Sequence, residues 1–75
     1  MAVRAGVRVL RAEGAAKEAG IRQGDIIEKL DGQTVPDVAV FGEIARKLEA
    51  GRMVKVLVVR NQRKRFLALR VPKIE

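Results

Sequence analysis

Apolar residues recur along this chain with two different periods, and the change of period divides it into elements. Met53–Arg60 and Phe66–Val71 carry the strongest strand pattern. Val54-Lys55-Val56-Leu57-Val58-Val59 is rich in β-branched residues, which suit a pleated surface. Asn61-Gln62 lies between the two runs, and Asn tolerates the left-handed backbone region, so a hairpin is predicted, with Phe66 in the core. Over 38–48 the period becomes helical. Val38, Phe41, Ala45 and Leu48 form one stripe, Ile44 widens it, and Glu43 and Lys47 sit four apart in the favourable order. Asp37, after Pro36, can cap this helix by accepting a free backbone N–H, and Gly51 lies just past its end.

Upstream the pattern is looser. Val3–Arg11 alternates as a half-buried strand would, and Gly14 ends it. Ala15–Ala19 favours a short helix closed by Gly20, a residue that accepts positive φ at a helix stop. Ile21 returns to the core, and Gly24-Asp25 turns into a strand over Ile26–Leu30. Strict alternation puts Ile26 and Leu30 on one face and Ile27 on the other, so this strand reads as buried on both sides at its start. Asp31-Gly32 is a tight-turn pair, followed by a small strand over Gln33–Val35. The order is β, short α, β, small β, longer α, β-hairpin. This is an α+β, mostly β domain over residues 1–75, with no internal repeat, linker or low-complexity segment.

Composition then removes most chemistry. Seventy-five residues make a single domain with a core only just large enough to fold unaided. The chain has no His, Cys, Ser or Tyr, and its one hydroxyl side chain is Thr34, so neither a Ser-His-Asp nor a Cys-His apparatus can be built. His-ligated and thiolate metal sites are excluded on the same ground. The acids are scattered and mostly beside Lys or Arg, which reads as a solvated surface rather than a carboxylate pair. The expectation is a non-enzymatic domain with no metal and no cofactor. No apolar run approaches the roughly 20 residues that span a bilayer, so no membrane insertion is expected. The N-terminus lacks the apolar block of a secretory signal. Met1 stands directly ahead of a strand pattern, which suggests a piece of a longer chain.

The stretch Gly14-Ala15-Ala16-Lys17-Glu18-Ala19-Gly20-Ile21-Arg22-Gln23-Gly24-Asp25-Ile26-Ile27, continued by Leu30-Asp31-Gly32, resembles the signature of bacterial PDZ domains. The likeness runs from about Gly6 to Val71 and includes the helix with Phe41, Gly51 and the Val-rich strand ending in Arg60. It is most like the second, C-terminal PDZ domain of Deg/HtrA-type periplasmic serine proteases. The implied fold is a partly open β-barrel or sandwich with two helices. Gly20, Gly24, Asp25 and Gly32 read as the motif that holds it, with Asp25 accepting backbone N–H groups at its turn. The family's carboxylate-binding loop and strand would precede Ala5–Arg11. Only Met1-Ala2-Val3-Arg4 stands there, so that strand is expected to be lacking, leaving an unpaired edge open to self-association.

The resemblance implies a peptide-binding module of a bacterial envelope protease, tethering substrates or regulating the enzyme in the periplasm. An extended peptide or unfolded-protein segment would add as a strand beside the 38–48 helix. Val40, Phe41, Ile44, Lys47 and Leu48 are the candidate groove residues. Phe41 and Leu48 read more readily as core, whereas Ile44 and Lys47 are the better groove candidates, since Ile44 widens the stripe beyond what the core needs. Three alternatives remain: an architectural oligomer contact, the PDZ module of a site-2-type membrane protease, and nucleic-acid binding.

Charge bears on the last of these. Up to Ala50 there are eight Lys/Arg and eight Asp/Glu, and from Gly51 onward eight Lys/Arg face the single acid Glu75, which gives the net +7. Arg60, Arg63, Lys64 and Arg65 cluster at the predicted hairpin tip. With no aromatic side chains interleaved to stack on bases, the cluster reads as a solubilising turn and no nucleic-acid partner is expected.

Overall fold

The computed structural model describes residues 6–72. Along the chain it forms β1 (Val7–Arg8), α1 (Ala15–Glu18), β2 (Ile26–Leu30), β3 (Gln33–Thr34), α2 (Val38–Lys47), β4 (Met53–Arg60) and β5 (Arg63–Arg70). The strands make one antiparallel sheet in the order β1-β2-β4-β5, with β3 pairing β2 off that path. The sheet stays open and does not close into a barrel. Both helices pack on one of its faces, α1 against β5 and α2 against β2.

The hairpin sets the register of β5 against β4. Asn61 and Gln62 both take positive φ (52° and 66°), so a two-residue turn closes on the pair Arg60↔Arg63. β5 therefore begins at Arg63, three residues before the strand pattern predicts it. The same register puts Val54, Val56 and Val58 on the core face opposite Leu69, Leu67 and Arg65. Phe66 falls on the other parity, and the expectation that it lies in the core is wrong: it is 71% exposed on the outer face.

β2 carries a second irregularity. The register shifts between Ile27 and Lys29, leaving Glu28 as a bulge. The bulge resets the alternation, so Ile27 and Leu30 share the core face while Ile26 stands opposite Val59 on the outer face. This reverses the faces that strict alternation assigns. The Glu28 carbonyl accepts the N–H of Val35 at 2.9 Å, which draws the fully buried Val35 into the core after the Asp31-Gly32 turn (φ 53° and 78°).

β1 is far shorter than the alternation over Val3–Arg11 predicts, and Val3 to Ala5 lie outside the described residues. Bonds from the Val9 N–H to the Asp25 carbonyl and from the Gly24 N–H to the Val9 carbonyl, both 2.8 Å, prolong the pairing slightly. Leu10 then turns out to solvent, 76% exposed. Gly6 crosses close over β2 at φ 153°, and a Cβ there would sit 2.6 Å from Ile26 Cγ2 and 2.8 Å from the Ile27 carbonyl oxygen. A Gly6→Val substitution is expected to cost about 2 kcal/mol, through backbone strain plus displacement of β1. Urea denaturation would show it as a lowered midpoint.

Candidate functional site

Two features stand out: a polar clamp at one end of β4, and an apolar groove beside α2. The clamp centres on Asp25, whose side chain is 2% exposed. Arg60 donates from Nε to Oδ1 at 2.8 Å and from Nη2 to Oδ2 at 2.7 Å, and Nη2 also reaches the Gly20 carbonyl at 2.7 Å. The Arg22 N–H donates to Oδ2 at 2.9 Å. Two-point pairing of this kind favours the ionised carboxylate. The hydrogen bond from Arg60 holds the Asp25 pKa below its ordinary value against the opposing effect of burial, and Asp25 in turn raises that of Arg60. Both oxygens of the carboxylate thus accept hydrogen bonds from within the domain. The sequence points to the backbone bond at this turn, but Arg60 lies 35 residues away and its role is visible only in the fold.

The groove runs between β1 and α2 and measures about 430 Å³. Val7, Val9, Val38, Phe41, Ala16 and Leu69 supply its apolar lining. β1 ends the sheet path on this side, so among the described residues no strand covers its outer edge. A second depression of about 520 Å³ continues past Phe41 between α1 and α2, bounded by Ala45, Leu48 and Val71. Two large apolar side chains stand at the rim, Leu10 and Val38, the latter 72% exposed.

α2 is capped as its sequence suggests. The Asp37 Oδ1 accepts the Val40 N–H at 3.0 Å, and Leu48 leaves the helix as its C-cap. The five candidate residues separate around it. Phe41, half-buried, faces both depressions. Val40, Ile44, Lys47 and Leu48 line a third hollow on the side toward the Asp31-Gly32 turn, together with Arg52. Ile44 is the one buried residue of α2, 8% exposed within the core cluster, so it does not extend beyond what the core needs. Leu48 also borders the 520 Å³ depression. Val38 and Ala45, read as core stripe, are the residues that join Phe41 on the open side. Their i, i+3, i+7 spacing carries that signal, but the burial that separates core from groove does not show in spacing.

Comparison with known proteins agrees with this architecture. The family model described as PDZ domain matches residues 3–71. A probable periplasmic serine endoprotease, DegP-like, from Hahella chejuensis is 35% identical over 72 residues, covering 95% of this chain and 15% of the relative. One of the same description from Marinomonas sp. is 34% identical over 58 residues, covering 77% and 12%. The chain therefore spans only a small part of these relatives. Among solved structures, the HtrA-type protease AlgW with decapeptide superposes with a TM-score of 0.79 at 25% identity, covering 84% of this chain and 19% of that one. A serine endoprotease from Yersinia pestis gives 0.79 at 24% identity, covering 83% and 23%.

Proposed function

Because the chain belongs to the PDZ domain family, we propose that it binds extended peptide segments in the groove between β1 and α2. The observation that carries this reading is the edge of β1, which no strand covers among the described residues, beside an apolar trough with Val38 and Leu10 exposed at its rim. A peptide laid along β1 would satisfy free backbone groups of that edge, and its side chains would enter the trough beside Phe41. The neighbour solved with a decapeptide supports the same use of the fold. The DegP-like relatives support a parent serine protease of the periplasm, in which this domain tethers substrates or regulates the catalytic domain without performing chemistry itself.

Titration of the ¹⁵N-labelled chain with C-terminal peptides of unfolded proteins tests this. Shift changes are expected at Val7–Val9, Val38, Phe41 and Ala45. Silence at those residues at millimolar peptide would overturn the reading. The same open edge favours one further use, self-association of two copies through β1. Sedimentation equilibrium separates it, since a copy-to-copy contact depends on protein concentration and is competed by peptide.

A further inference from the structure

Among the described residues the sheet has a second uncovered edge, on the opposite side from the groove. Among the described residues β5 is the last strand of the path, and it runs for eight residues. The register fixes which backbone groups face outward. The turn closes on Arg60↔Arg63, and at the other end the Val71 N–H donates to the Arg52 carbonyl at 2.8 Å. Alternate pairs between these two exchange hydrogen bonds with β4. The N–H and C=O groups of Lys64, Phe66, Ala68 and Arg70 therefore point away from β4, along the free edge. Their side chains share the outer face, which no helix covers among the described residues.

Lysine and arginine alone would read as protection of an edge against pairing. Phe66 contradicts that purpose. It stands 71% exposed at the middle of the strand, beside the exposed Ala68, with basic residues at both ends. Lys64 reaches Glu28 at 3.7 Å and remains 66% exposed. No acidic residue occurs between Gly51 and Lys73. Apolar centre, basic ends and outward backbone groups together describe one complement: an extended strand with an apolar middle and acidic residues at its ends.

We propose that the β5 edge is a second docking site, for an acidic, extended segment of another protein, added antiparallel as a new edge strand. Acids at one end of that segment face Arg63, Lys64 and Arg65, and an acid at the other faces Arg70, while its apolar middle covers Phe66 and Ala68. A second copy of this chain does not fit, since each copy carries +7 and would bring basic edge to basic edge. The site is independent of the groove beside α2.

The test uses the full 75-residue chain and a peptide of sequence Glu-Val-Thr-Val-Leu-Glu-Asp-Glu, acetylated and amidated so that no terminal carboxylate is offered to the groove. Hydrogen exchange read by NMR is expected to slow at the amides of Lys64, Phe66, Ala68 and Arg70. Arg65, Leu67 and Leu69, already bonded to β4, keep their rates. Ala68→Pro removes one outward N–H without touching a bond to β4 and is expected to abolish binding. Phe66→Ser is expected to weaken it about tenfold, and Val38→Lys to leave it unchanged. Added salt weakens it. Shifts without the alternating protection, or undiminished binding by the Ala68→Pro chain, would overturn the proposal. So would binding to phosphatidylglycerol vesicles with none to the peptide, which would assign the surface to lipid.

Discussion

Asp25→Ala is expected to lower the stability of this domain by about 3 kcal/mol, the range found when one partner of a buried ion pair is removed. The reason is the number of groups that depend on one carboxylate. Without it the Arg22 N–H loses its acceptor, and Arg60 loses the two-point pairing that holds it against the Gly20 carbonyl. The link between the α1–β2 connection and the end of β4 then opens. A domain of this size has a total stability on the order of 5 kcal/mol, so most of the margin disappears. Thermal unfolding followed by circular dichroism should fall by roughly 15 °C. An unchanged midpoint would show that the clamp contributes nothing net.

The same pair makes stability depend on pH in a definite direction. The folded-state pKa of Asp25 lies below the ordinary 3.8, chiefly through its hydrogen bond from Arg60. A carboxylate with a depressed folded pKa contributes stability that is fully present above the unfolded value. That contribution is lost as pH falls from about 4 through the folded pKa. Acid titration of the parent chain should therefore show a stabilising component that the Asp25→Asn chain lacks. Above about pH 5 the two curves should run parallel, separated by the cost of the substitution.

The clamp also illustrates what could be read from the chain and what could not. Features set by neighbouring residues were legible: Asp37 capping α2, the Asp31-Gly32 turn, a hairpin with Asn61-Gln62 in its loop, and the runs that became β2 and β4, whereas the two-residue length of that loop was not. Each depends on the local conformational preference of one or two residues. Features set by register were not. A single bulge at Glu28 moved Ile27 to the core face of β2, because a shift of one residue inverts every side chain beyond it. The hairpin loop decided the parity of β5 and sent Phe66 outward, although its composition suits a core. Partnerships across the fold, such as Arg60 with Asp25, leave no trace in spacing. Around α2 the helical period marked an apolar stripe, but it could not say that Ile44 rather than Val38 lies on the core edge. That edge follows from the packing of α2 against β2, which buries Ile44.

α2 offers the sharpest separation of core from groove. Ile44→Ala is expected to cost about 3 kcal/mol, since the side chain is 8% exposed and packed in the cluster with Leu30, Val35 and Val56. Its deletion leaves a cavity at the base of the helix that the small surrounding core has little means to close. Val38, earlier in the same helix, is 72% exposed, and Val38→Lys should change stability by less than about 0.5 kcal/mol. The lysine would nevertheless place a charge and a long stem at the mouth of the groove, where an entering peptide must bury apolar side chains against Phe41. Peptide affinity should fall about tenfold or more. Paired measurements of unfolding midpoint and peptide affinity on the two chains give opposite patterns if the groove is the binding site. Ile44→Ala lowers the midpoint and keeps affinity in whatever fraction stays folded, whereas Val38→Lys keeps the midpoint and loses affinity. Full affinity in the Val38→Lys chain would place the bound peptide elsewhere on the sheet, because Val38 and Phe41 line the same groove beside β1.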